Sequence, residues 1–174
     1  SITLPNTVVS IKSMAFQNCS ALTAITLPNS VAFLGSQVFG SCANLATVVL
    51  SNSIPTISDN AFYGCTALRS ITIPTSVITL QTGAFSSSGL RSITIPSSMR
   101  TINSSAFLNC VDLSGVSINP GLTTMRSEIF RGCSKLAAIS IPNTVSICEE
   151  GMFIGCSQLT TASLSTGVFD ISNN

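Results

Sequence analysis

Phenylalanine recurs along this chain with almost no drift, at Phe16, Phe39, Phe62, Phe85, Phe107, Phe130 and Phe153. Six intervals separate these residues; five are 23 residues long and the fourth is 22. Other columns keep the step. One runs Ile2, Ile25, Val48, Ile71, Ile93, Val116, Ile139 and Ala162, and another Leu22, Leu45, Leu68, Leu90, Leu113, Leu136 and Leu159. The short interval falls at Ser86-Ser87-Ser88-Gly89, one residue shorter than its equivalents. A fixed period of this length marks a stack of coils in which each covers the apolar edge of its neighbour.

Within a unit, Leu-x-x-Ile-x-Leu-Pro alternates apolar and polar residues, which predicts a short strand with one buried face. Proline follows at Pro5, Pro28, Pro74, Pro96 and Pro142, where it ends the strand without removing a ladder donor. Ser51 takes that place in the third unit, and in the sixth proline has moved to Pro120. Next come a Val column (Val8, Val31, Ile54, Val77, Met99, Leu122, Val145, Val168) and an Ile column (Ile11, Leu34, Ile57, Leu80, Ile102, Met125, Cys148, Ile171). The Ala-Phe-x-x-Cys segment sets large and small apolar residues side by side and predicts a tight helical or 3-10 turn. The expected architecture is an α/β repeat: a solenoid with one curved parallel sheet on its inner face and short helical turns outside. Eight strands at sheet spacing give a length on the order of 35 Å. Residues 1–174 form one solenoid of about seven and a half units, expected to be a piece of a longer array.

Leu22-Thr23-Ala24-Ile25-Thr26-Leu27-Pro28 together with Val38-Phe39-Gly40-Ser41-Cys42 resembles the leucine-rich repeat of BspA-like proteins. Phe62 to Cys65 and Phe130 to Cys133 fit the same pattern, and the resemblance runs from Ile2 to about Ile171. It implies a cell-surface or secreted protein of a bacterium or a mucosal protozoan, and adhesion to host extracellular matrix or to other microbes. It brings no catalytic motif.

Composition narrows the chemistry. Only 7% of residues are charged, with 7 Lys or Arg against 6 Asp or Glu, so no large basic face for nucleic acid exists. The longest apolar runs are far short of a membrane span. The chain has no His, which removes His-based acid–base catalysis and His-containing metal sites. Acidic residues are scattered over different columns, and glycine is spread singly rather than gathered into a phosphate loop. The expectation is a protein without enzymatic activity, cofactor or metal.

Cys19, Cys42, Cys65, Cys110, Cys133 and Cys156 stand three residues after a Phe, and Cys148 occupies the Ile column. Recurring with the core period, they are expected to point the same way as buried, reduced, small apolar residues. Parallel Cβ vectors are unfavourable for disulfides, and a straight row does not converge on a metal.

Two outward rows flank the buried strand residue: Thr3, Thr26, Val49, Thr72, Thr94, Ser117, Ser140, Ser163, and Ser1, Ala24, Thr47, Ser70, Ser92, Gly115, Ala138, Thr161. Either β-branched Thr simply suits a strand, or these rows are a docking face for a protein or glycan. Arg69 and Arg91 share the column two residues before the strand Ile, with nothing acidic in that column. They are either two solvated arginines or an anchor for an acidic group on a partner. The candidate partner-binding set is Arg69, Arg91, Ser70, Thr72, Ser92, Thr94, Thr26 and Thr47. Asp112 with Lys135, and Arg126 with Glu149, share columns in adjacent units and are expected to pair at the surface. Phe33, Ile78, Ile147 and Phe169 break the polar pattern after the Val column and either tuck under loops or mark a lateral contact. The alternative function is therefore a spacer or assembly component, touching neighbours through loop edges or solenoid ends. Asn18-Cys19-Ser20 and Asn103-Ser104-Ser105 are short glycosylation sequons of little weight.

Overall fold

The computed structural model describes residues 2–164, so Val168, Phe169 and Ile171 lie outside the described residues. We number the coils by their phenylalanines, coil 1 holding Phe16 and coil 7 holding Phe153. Each coil begins at its Leu-column residue, and coil 4, Leu68 to Gly89, is the short one.

Parallel pairing follows the repeat. Ile25 faces Ile2 and Val48, Val116 faces Ile93, and Ala162 faces Ile139. The proline carbonyl that follows the strand accepts the Val-column N–H three residues on, as in Val31 to Pro28 and Val77 to Pro74, both at 3.0 Å. Proline thus closes a turn while its missing N–H costs the ladder nothing. In coil 3, where Ser51 replaces it, the buried Ser51 hydroxyl donates to the Val31 carbonyl at 2.6 Å and accepts from the Ser53 N–H.

Two expectations are corrected. The strands do not form one sheet. A second parallel ladder runs through the Ile column, pairing Ser10–Ile11 with Phe33–Leu34, then Thr56–Ile57 through Thr79–Leu80, Thr101–Ile102 and Thr124–Met125 to Ile147–Cys148. It breaks between coils 2 and 3, where Pro55 has no N–H to offer the neighbouring coil. The first ladder is in three pieces, Ile2–Thr3 to Thr47–Val49, Ser92–Ile95 with Gly115–Ile118, and Ala138–Ile141 with Thr161–Leu164. Its gaps lie beside the coils that depart from the repeat.

The Phe-containing turns are not helical, and no helix occurs among the described residues. The residue two before each Phe (Met14, Gln37, Asn60, Gly83, Ser105, Glu128, Gly151) has positive φ, and so does the residue two after (Asn18, Ser41, Gly64, Ser87, Asn109, Gly132, Gly155). Two left-handed residues four positions apart in each turn prevent a right-handed helix there. The turn backbone instead bonds across coils, as in Phe16 N–H to the Val38 carbonyl and Phe39 N–H to the Ala61 carbonyl, both at 2.9 Å.

This geometry stacks the phenylalanine rings into an internal spine, with centroids 5.3–6.0 Å apart and planes within 15°. Phe39 to Phe130 are fully buried, so each ring contributes both area burial and ring contact on two sides.

The cysteines are free; Cys19 and Cys148 are half-buried, and Cys42, Cys65, Cys110, Cys133 and Cys156 are buried. They are more than apolar filler. Each of these thiols donates to the carbonyl of the Phe in the preceding coil: Cys42 to Phe16, Cys65 to Phe39, Cys110 to Phe85, Cys133 to Phe107 and Cys156 to Phe130, at 2.9–3.2 Å. Ser88 holds the position in coil 4, with its hydroxyl 3.4 Å from the Cys110 sulfur. Burial pushes the Cys65 thiol up to about 12 and the Cys110 thiol up to about 11.

Candidate partner-binding face

The outward residues of the first ladder share one face because strand side chains alternate. Thr26, Thr47, Ser70, Thr72, Ser92 and Thr94 are all exposed, as are Arg69 and Arg91. Register sets Thr26 between Thr3 and Val49, Thr47 beside Ala24, and Ser92 and Thr94 beside Gly115 and Ser117. The face is a field of small hydroxyls interrupted by the exposed Val49. Around Ser70 and Thr72, residues 70–73 lie outside any strand, so these two sit between the ladder pieces.

The two arginines differ. Arg69 Nη1 donates to the Gly89 carbonyl and to Asp112 Oδ2, each at 3.1 Å. Asp112 also takes Lys135 Nζ at 2.6 Å, giving the expected Asp112–Lys135 pair and adding Arg69 to it. Sequence columns hid this link because Asp112 stands in the column preceding the Leu, not in that of Arg69. Its signal was Gly89, which occupies that column between them and leaves a track for the long side chain. A Cβ on Gly89 would lie 2.9 Å from Arg69 Nη1 and 2.0 Å from the Thr66 carbonyl oxygen. The one-residue deletion, the glycine and the Arg69–Asp112 contact therefore form one local solution.

Arg91 repeats the position of Arg69 one coil later, but two steps ahead of it stands Lys135, a cation. Among the described residues Arg91 has no ion-pair partner. Lys135 above all, then Arg69 and Arg91, hold the Asp112 carboxyl below its usual range. The Arg126–Glu149 pair is also present, and it keeps the Glu149 carboxyl below its usual range. Arg131 pairs with Glu128 within one turn.

Phe33, Ile78 and Ile147 are exposed rather than tucked under loops. Phe33 and Ile147 stand in strands of the second ladder, and Ile78 directly precedes one. Val9, Met14, Tyr63, Val111 and Ile154 are exposed as well, and the repeat consensus gave no sign of them. Tyr63 is the only tyrosine of the chain and belongs to a residue type that favours interfaces.

Known proteins share this architecture. A leucine-rich repeat protein from Bacteroides ovatus is 32% identical, with a TM-score of 0.85 over 90% of this chain and 41% of its own. The leucine-rich repeat protein of T. pallidum is also 32% identical, with a TM-score of 0.81, covering 87% of this chain and 72% of that one. A leucine rich cell surface protein from Faecalibacterium prausnitzii is 25% identical, with a TM-score of 0.66 over 99% of this chain and 53% of its own. The chain thus spans less than half of the Bacteroides structure and about half of the Faecalibacterium one. No curated protein matches it. The BspA type leucine rich repeat region matches in six copies, over residues 1–114 and 88–174. Repeat period, paired ladders, ring spine and these matches agree: the chain belongs to the BspA-type leucine-rich repeat family.

Proposed function

We propose that this chain is a surface-exposed recognition module that holds a protein or glycan ligand, host extracellular matrix among the candidates, against the hydroxyl-rich face of its first ladder. The observation that carries this reading is Arg91. It is an exposed cation without an ion-pair partner among the described residues, beside the exposed hydroxyls of Ser92 and Thr94. Arg69, tied to Asp112, borders the same face and adds positive potential to it. A single accessible guanidinium among small hydroxyls suits one acidic group on a partner, with hydrogen bonds to its surroundings. Surface location is supported by the Faecalibacterium relative, which is described as a cell surface protein. The reading is of binding, and nothing in the described residues points to catalysis.

Solid-phase binding of the purified chain to matrix proteins, mucin and glycans tests it, alongside the Arg69→Glu/Arg91→Glu double variant. Saturable binding that disappears in the folded double variant is the expected result. Equal binding by both proteins, or none by either, contradicts it.

A further inference from the structure

Three of the chain's 7 cationic side chains gather at the margin of the hydroxyl face, around one carboxylate. The Arg91 N–H donates to the Arg69 carbonyl at 2.9 Å, and the Arg91 carbonyl accepts the Ser114 and Gly115 N–H groups at 3.0 and 3.1 Å. Arg69, Arg91 and Ser114 thus stand side by side near the start of coils 4, 5 and 6. Asp112 ends coil 5, two residues before Ser114, and Lys135 ends coil 6 in the same column. The Arg69 side chain crosses the coil of Arg91 to reach Asp112, while Lys135 reaches the same carboxylate from the other side. Along the stack the order is cation, cation, carboxylate, cation.

Each Asp112 oxygen already holds one cation, Oδ2 that of Arg69 at 3.1 Å and Oδ1 that of Lys135 at 2.6 Å. Glu128 and Glu149 are engaged elsewhere, with Arg131 and Arg126. Two positive charges are therefore left over here, more than the +1 of the whole chain. All three cations are accessible: the side chains of Arg69 and Lys135 are 48% and 57% exposed, and Arg91 is exposed as well. Arg91 is within electrostatic reach of the cluster, since it joins Lys135 and Arg69 in holding the Asp112 carboxyl down.

The surface beside these cations is polar and built from small side chains. Ser70 and Ser92 follow the two arginines, Thr72 and Thr94 continue outward, and Ser114 lies on the next coil, all exposed. A protein partner draws most of its affinity from aromatic and other large anchors, and here only the exposed Val111, next to Asp112, offers an apolar one. A sugar polymer needs hydrogen-bond donors and acceptors for its many hydroxyls, which the serine and threonine rows supply. Resting on the recognition reading above, we infer that the ligand is a sulfated glycan, with a sulfate ester held between Arg69 and Arg91 and sugar hydroxyls on Ser92 and Thr94. A sulfate ester has three free oxygens and takes donors from two cations at once. Neighbouring strands lie about 4.8 Å apart, so two arginines one coil apart can share it. A glycan charged only by uronic carboxylates spaces them a disaccharide apart, too sparsely for two surplus charges in one small cluster.

Binding of the 174-residue chain to immobilised heparin, desulfated heparin and hyaluronan tests this, with collagen and laminin run in parallel. Heparin is expected to retain the chain, less so as salt rises, and the two unsulfated polymers to let it pass. Arg91→Gln should weaken heparin binding about tenfold. Lys12→Gln, the same loss of charge placed in coil 1, should leave it unchanged. Asp112→Asn removes the cluster's only negative charge and should tighten binding severalfold. Arg91 has no ion pair to lose, so its variant keeps the fold and decides the matter even if Asp112→Asn melts early. Equal retention on desulfated heparin overturns the inference, as does equal weakening by Lys12→Gln and Arg91→Gln, or a folded Asp112→Asn chain that binds no tighter. Collagen or laminin held through Arg91 without any preference for heparin overturns the sulfated ligand and leaves the recognition reading standing. Binding to none of the five overturns both.

Discussion

Coils 1 to 3 and coils 4 to 7 share a core and differ in the charge they carry outside it. The same rings stack and the same thiols donate to the same carbonyls in both halves. Yet the first half has two charged side chains and no ion pair among its described residues, whereas all four ion pairs of the described residues lie in the second. Exposed large apolar residues occur in both halves, Ile2, Val9, Met14, Phe33, Val49 and Tyr63 in the first and Ile78, Val111, Ile147 and Ile154 in the second. The difference shows a separation of tasks that a solenoid permits. Core columns fix the stack, and outward columns are free to vary coil by coil.

If the core is uniform, Phe39→Ala and Phe130→Ala should cost nearly the same, about 3–5 kcal/mol each in urea denaturation. A cost concentrated in one half would break the comparison. Gly89→Ala comes next. Its Cβ meets backbone at 2.0 Å, whereas at Gly115 the nearest atom is 3.4 Å away. Overpacking of this kind costs about 1–3 kcal/mol, so Gly89→Ala should lower Tm clearly and Gly115→Ala should not.

The thiol row should respond to alkali in both halves. Burial raises the folded-state pKa of Cys65 to about 12 and of Cys110 to about 11, from 9.0. The protonated thiol is therefore favoured in the fold, and its contribution is complete below pH 9. Above that the unfolded chain loses its protons first, so stability should fall from about pH 9 toward 11–12. Thermal melts between pH 7 and 11 check this, and replacing Cys65 and Cys110 by serine should flatten the decline. The smallest effect belongs to the surface pairs. Arg126→Gln should change stability by about 0–1 kcal/mol, and less in high salt.

The sequence made the core legible because each core column keeps an apolar residue at the same step. Phe62, Leu68 and Ile71 announce themselves seven or eight times over. The turn was harder to read. Its left-handed positions are filled by Met14, Gln37 and Glu128 as well as by glycine, so only Gly64, Gly83, Gly132, Gly151 and Gly155 carried the signal. The second ladder was hidden because its strands are two residues long, too short for alternation to show. At the hydroxyl face, exposure of Thr26, Thr47, Ser92 and Thr94 followed directly from strand alternation. The partner of Arg69 did not, since Asp112 reaches it from another column, 43 residues on. Long charged side chains escape column arithmetic.

The most direct test of this separation sets the two faces against each other on one ligand. Arg91→Glu and Phe33→Glu would be compared, as folded proteins, for binding to whichever matrix protein or glycan the unmodified chain retains. The account predicts that Arg91→Glu abolishes retention while Phe33→Glu binds as the unmodified chain does. Loss of binding in Phe33→Glu, with Arg91→Glu unaffected, would contradict it.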